Sequence, residues 1–151
     1  MKLKSIETFC NSHVGFVLVT AEDGAQGWGQ VSTYHSDITC EILHRQVARW
    51  GIGRDLSDLD DVLDFINERE HKFPGSYLRR AMAGFDTAIW DLRGKIAGLP
   101  VTSLLGGSPG PIRAYASSMK RDITPSDEAE RLKRIRDKSG FNAFKVRAGA
   151  E

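Results

Sequence analysis

Lys145 and Arg147 are the two residues whose type and spacing speak most directly of chemistry in this chain of 151 residues. They lie in Phe141-Asn142-Ala143-Phe144-Lys145-Val146-Arg147-Ala148-Gly149, which reads as a strand over 141–147. Side chains alternate between the two faces of a strand, so both cations share one face while Phe144 and Val146 share the other. Two cations on one face, flanked by apolar residues and a glycine, suit a strand end that meets an anionic substrate. A lysine there can be tuned toward neutrality by burial and neighbouring cations and then serve as a base. An arginine keeps its proton above about pH 12 and is a poor base. Its planar fork is suited instead to a carboxylate held by two parallel hydrogen bonds, or to electrostatic support of an oxyanion. The competing reading is two solvated cations lining a strand end. His44 and His71 fall in helical or helix-end contexts and read as helix-surface histidines.

The elements that must hold this strand follow from the pattern upstream. Runs 2–10, 14–20 and 25–32 read as strands, separated by Asn11-Ser12-His13 and Glu22-Asp23-Gly24, and predict a three-stranded antiparallel meander. Val14 to Thr20 is nearly continuously apolar, as a central strand would be. Ser36 or Asp37 can cap a helix to about Trp50, with Ile38, Ile42, Leu43, Val47 and Trp50 at helical spacing. Ser57 with Asp60 resembles a capping box ahead of Val62, Leu63 and Ile66. Ser76 opens a longer helix to about Ala97, whose stripe is Leu78, Ala81, Met82, Phe85, Ala88, Ile89, Leu92 and Ile96. Gly98 and Pro100 close it. Strands followed by helices make an α+β unit.

Gly106-Gly107-Ser108-Pro109-Gly110-Pro111 marks a joint between domains 1–108 and 109–151. These glycines lack the following helix and downstream acid of a dinucleotide fingerprint. Beyond the joint come a strand over 112–118, then Thr124-Pro125-Ser126-Asp127 as a helix start, a helix to about Lys138, and the strand 141–147. Strand, helix, strand with short connections is a βαβ unit and predicts parallel pairing. A complete (β/α) barrel needs roughly 250 residues, so the chain is expected to stop inside its second domain.

Composition narrows the partners. A formal net charge of +1 makes no electrostatic case for nucleic acid or an anionic membrane surface. No apolar run approaches the roughly 20 residues of a membrane span, and the first residues lack a signal peptide's apolar core. Cys10 and Cys40 have no metal-type spacing and are too few for a disulfide framework. A cytoplasmic location is expected.

Several motifs together carry a family likeness. They are Glu22-Asp23-Gly24 with Gly27-Trp28-Gly29, then Ala83-Gly84-Phe85-Asp86-Thr87-Ala88-Ile89-Trp90-Asp91-Leu92-Arg93-Gly94-Lys95. Gly98-Leu99-Pro100-Val101 follows, running into Leu104-Leu105-Gly106-Gly107, and last comes Lys145-Val146-Arg147. In their order and spacing these residues resemble the amino-terminal part of the enolase superfamily, specifically the mandelate racemase and muconate lactonising enzyme group, over essentially the whole chain. The resemblance implies an α+β capping domain followed by the first βαβ of a truncated (β/α)7β TIM-like barrel. It implies a Mg²⁺-dependent enzyme that abstracts a proton next to a carboxylate, with a small carboxylate substrate such as a sugar acid. Homo-oligomers are expected of the full-length protein.

The resemblance also distributes roles. In the family the barrel strand usually ends in Lys-x-Lys, the second lysine being a base; Arg147 stands at that second position here. That departure moves the expectation from racemase or lactonising enzyme toward a dehydratase (a hydro-lyase) with its base on the other face. Ser117, at the end of the first barrel strand, is the expected hydroxyl for the substrate carboxylate, with an exposed or backbone-bonded serine as the alternative; Ser118 would point to the opposite face. The capping loops 10–14 and 31–37 are expected to set specificity. Tyr34 and His35 could reach substrate hydroxyls above Trp28, or be ordinary loop residues. Asp86, Asp91 and Arg93 are expected in a salt bridge or interdomain contact. The family's metal ligands are expected beyond Glu151, so no metal site is assigned here, and the 151 residues alone are expected to be inactive. The rival of another class is a non-catalytic binding module.

Overall fold

The computed structural model describes residues 1–147. The chain divides into two compact units, Met1–Ser108 and Pro109–Glu151.

The first unit opens with β1 (Leu3–Cys10), β2 (Gly15–Ala21) and β3 (Gln26–Val31), antiparallel in the order β1-β2-β3. Each begins and ends within a residue of its expected bounds. The first turn is held by Asn11, whose Oδ1 accepts from the backbone N–H of His13 and Val14 at 2.8 and 2.9 Å. One face of the sheet carries Ile6, Val17, Val19 and Val31 into the core. The other leaves Phe9, Phe16 and Trp28 about half exposed.

The helical layer follows. Residues 36–51, expected as one uniform helix, comprise α1 (Ser36–Ile42), a π-helical stretch (Leu43–Ala48) and α2 (Arg49–Gly51). The wider i→i+5 turns explain why a stripe drawn at 3.6 residues fails here: Leu43 and Val47 are buried but Ile38 is exposed. The expected caps also shift. His35, not Ser36 or Asp37, is the N-cap of α1, and the buried Ser36 hydroxyl donates to the Ser32 carbonyl at 3.3 Å. In α3 (Leu59–Arg69) the capping acceptor is Asp58, which takes the Asp61 N–H at 3.1 Å, instead of the Ser57–Asp60 box. The long α4 (Ser76–Ala97) starts at Gly75 without a side-chain cap. It buries every expected stripe residue through Leu92, while Ile96 in its last turn is half exposed. The short α5 (Val101–Leu104) was not anticipated.

The packing of β3 on α4 explains the Gly-Trp-Gly motif. A Cβ built on Gly27 would sit 2.1 Å from the Ala88 carbonyl oxygen, and one on Gly29 would sit 2.1 Å from that of Gly84. Strand and helix backbones therefore touch, which only glycine permits. Asp91 completes the seam. Its Oδ2 accepts the Trp28 backbone N–H at 2.8 Å, on the edge of β3 that no strand covers, and pairs with Lys95 Nζ at 2.7 Å. Arg93 donates to the carbonyls of Leu56 and Ser57, tying α4 to the segment before α3. Burial raises the Asp86 carboxyl, opposed by a hydrogen bond from Trp90. Asp91 and Arg93 thus fasten elements within the first unit.

The second unit contains β4 (Ala116–Ser117), α6 (Pro125–Ser139) and β5 (Phe144–Lys145), with β4 and β5 parallel. Thr124 caps α6 by accepting the Asp127 N–H at 3.2 Å, and Gly140 ends it at φ 71°. Both strands are much shorter than the expected 112–118 and 141–147. The cross-strand bonds run from Ala116 N–H to the Ala143 carbonyl and from Ser118 N–H to that of Lys145. Flanking backbone with no ladder partner stays irregular. Ala148 and Gly149, which follow the expected strand 141–147, lie outside the described residues.

Candidate substrate-facing site

The parallel pair sets the geometry of the candidate cations. Ser117 and Lys145 are register partners, so their side chains fall on one face of the two-stranded sheet, while Met119 and Arg147 follow two residues beyond them, past the ends of the ladder. Arg147 Nη2 lies 3.7 Å from Met119 Sδ, which joins the two strand ends. Ser117, Lys145 and Arg147 are all exposed. A hydroxyl and an ammonium on one open face, with a guanidinium two residues further on, are a set of donors suited to a carboxylate or an enediolate oxygen.

Ser118 is 1% exposed and bonds to Glu128 on α6. Glu128 also accepts from Arg131 Nε and Nη2 at 2.7 and 2.8 Å, a two-pronged pair. The Arg131 and Ser118 hydrogen bonds push its carboxyl down to about 2 from an ordinary 4.5. A carboxyl depressed on folding stabilises above its unfolded pKa, and that contribution fades as pH falls from about 4.5 toward 2. The α6 to β4 contact is therefore expected to loosen over that window and Glu128→Gln to flatten the dependence. An NMR titration of the Ser118 amide checks this; a shift absent in wild type or unchanged in Glu128→Gln would count against it.

In the first unit the two loops expected to set specificity touch each other. The His13 and Tyr34 rings meet edge-on at a centroid distance of 6.3 Å. Trp28, expected beneath Tyr34 and His35, pairs instead with Phe9 at 5.6 Å on the outer sheet face. Tyr34 is 67% exposed. Tyr34 and His35 both take left-handed backbone angles, φ 63° and 53°. Such angles cost non-glycine residues about 1–2 kcal/mol each and concentrate where function demands them. His35→Gly should therefore raise unfolding stability by about 0.5–1 kcal/mol after glycine's own entropy cost. Urea titration reads this directly, and a lower midpoint would remove the strain argument.

Beside this loop is a groove of ≈ 590 Å³ lined by Gln30, Val31, Ser32, Thr33, Arg79, Arg80 and Ala83. Sequence reading passed over Arg79 and Arg80. Their signal is a pair of adjacent cations in the first turn of the helix that opens at Ser76. His44 and His71 are exposed, as expected; His44 Nε2 bonds to Thr8 Oγ1 at 2.9 Å. Among the described residues no three His, Cys, Asp or Glu side chains are grouped to hold a metal, so these residues do not by themselves fit the implied Mg²⁺. None of the described helices is long and apolar enough to cross a membrane.

Residues 3–106 match the model of the mandelate racemase / muconate lactonizing enzyme N-terminal domain. The chain belongs to this family. Its fold is that of the family's capping domain, a three-stranded antiparallel sheet with helices. Among curated relatives, a D-galactonate dehydratase family member from Pseudarthrobacter chlorophenolicus is 35% identical over 70% of this chain and 26% of its own length. Among solved structures, a protein of Roseobacter denitrificans provisionally assigned as a racemase is 77% identical. It matches 100% of this chain and 41% of its own, with a TM-score of 0.96. A mandelate racemase/muconate lactonizing protein from Paracoccus denitrificans, solved with magnesium, is 27% identical at a TM-score of 0.87, over 99% of this chain and 43% of its own. The chain thus spans less than half the length of these family members.

Proposed function

We propose that this chain is the amino-terminal part of a Mg²⁺-dependent acid-sugar dehydratase, with 1–108 as its capping domain and 109–151 as the start of its barrel. The observation that carries the reading is the register of Ser117 with Lys145 in a parallel strand pair, with Arg147 two residues on and against Met119 of the neighbouring segment. Lys145 and Ser117 bind the substrate carboxylate, and Arg147 supports the oxyanion that develops when the α-proton leaves. A base outside residues 1–147 takes that proton, and the β-hydroxyl then accepts a proton from an acid outside these residues and departs as water. Mg²⁺, held by carboxylates outside these residues, would neutralise charge on the enediolate. Tyr34 and His35 are assigned to substrate hydroxyls, in keeping with their strained loop.

Two observations support this reaction class. The first is a dehydratase-family name on a relative 35% identical. The second is an arginine where a second base would need a lysine. The provisional racemase name on the 77% identical structure favours racemisation as the second reading. The full-length protein, incubated with Mg²⁺ and a panel of acid sugars, should form keto acids, and a chelator should abolish this. Arg147→Lys should add exchange of the substrate α-hydrogen with solvent, because lysine can act as the second base. Unchanged behaviour on that substitution would put Arg147 away from the substrate.

A further inference from the structure

The two cysteines, unremarkable in sequence, meet in the first unit. Cys10 ends β1 and pairs across the hairpin with Gly15. Cys40 lies on α1, and its Sγ is 3.0 Å from the point a Cβ on Gly15 would occupy. The Cys40 side chain thus lies over the backbone position opposite Cys10. Cys10 is exposed and Cys40 is 3% exposed, both as free thiols. Burial first, and the neighbouring Cys10 thiol second, push Cys40 up to about 12. The two positions bracket the touching loops: Cys10 precedes the 11–14 turn and Cys40 follows the strained 32–35 segment by one helical turn.

We propose that Cys10 and Cys40 are a redox-active dithiol, and that its closure to a disulfide staples the β1–β2 turn to the start of α1. The oxidant is a peroxide. The Cys10 thiolate attacks one peroxide oxygen, the O–O bond breaks, and the departing oxygen leaves with a proton as water or alcohol. The resulting Cys10 sulfenic acid is attacked by the Cys40 sulfur. An S–S bond forms, the S–O bond breaks, and hydroxide takes the Cys40 proton to leave as water. The two thiols lose two hydrogens while the peroxide is reduced. The exposed thiol is the one oxidised first, and the buried Cys40, shielded from peroxide, resolves it as its sulfur gives up its proton to the departing hydroxide. Both loop segments then lose freedom together.

This inference concerns the capping unit alone and does not depend on the dehydratase reading. The full chain, reduced and then treated with hydrogen peroxide, should lose about 2 Da and yield a linked peptide pair containing Cys10 and Cys40. Amide exchange at 11–14 and 32–35 should slow about tenfold in the oxidised form and recover with dithiothreitol. Cys10→Ser, a surface change, should abolish both effects. Cys40→Ala should leave Cys10 free to gain about 16 or 32 Da instead. Oxygen added to wild-type Cys10 without a link, disulfides only between chains, or a link without slower exchange would each overturn the proposal.

Discussion

Gly29→Ala should destabilise the first unit by about 3 kcal/mol or more, enough to lose a cooperative unfolding transition if the domain is of ordinary stability. The new methyl would lie 2.1 Å from the Gly84 carbonyl oxygen and 2.8 Å from the Ala88 nitrogen. Both are helix backbone, so no rotamer change relieves the clash. Strand β3 must lift from α4, and with it goes the seam that Asp91 fastens at the Trp28 N–H. Gly75→Ala is the matched control. Gly75 has an extended φ of 165° and nothing within 4 Å of its added Cβ, so the change should cost only alanine's poorer capping of α4, about 1 kcal/mol or less. Urea unfolding of both variants measures the difference. Equal midpoints would mean that the strand and helix are not in backbone contact.

Sequence patterning recovered the meander and the buried face of α4 because both repeat regularly: Val17 and Val19 alternate, and Leu78 to Leu92 recur at helical spacing. It failed where geometry departs from a single period. The π-helical stretch from Leu43 breaks the stripe that began at Ile38. Caps were misassigned by one residue at His35, Asp58 and Gly75, since several neighbouring polar residues could each serve. Within the candidate site, the expectation that Lys145 and Arg147 share a face rests on a strand to 147, whereas the regular strand ends at Lys145. The pairing of Ser117 with Lys145 needed the strand register, which no pattern in one strand reveals. The strain at Tyr34 and His35 was equally invisible, because neither residue announces a left-handed backbone as glycine does. Cys10 and Cys40, thirty positions apart, meet only through the fold.

Lys145→Met in the full-length protein should lower kcat/KM by roughly 10³-fold, about 4 kcal/mol of transition-state stabilisation. Methionine keeps the stem and removes the ammonium, so β5 and its bonds to Ser118 and Ala116 should persist. The loss should fall mainly on kcat if Lys145 acts where charge develops, and on KM if it only holds the ground-state carboxylate. Ser117→Ala, on the partner strand of the same face, should cost less, about tenfold, as expected for a neutral donor. Full activity in Lys145→Met would leave the cations as solvated strand-end residues. Circular dichroism of the variant separates a folding defect from a chemical one.

The most direct test follows substrate and product together in D₂O by NMR, using the full-length protein, Mg²⁺ and acid sugars. Loss of the α-hydrogen and the β-hydroxyl predicts an α-keto acid deoxygenated at the β-carbon, while recovered substrate keeps its original α-configuration. Deuterium at the α-carbon of recovered, inverted substrate with no keto acid formed would contradict the account. It would mean that two bases operate despite Arg147, and that the protein is a racemase.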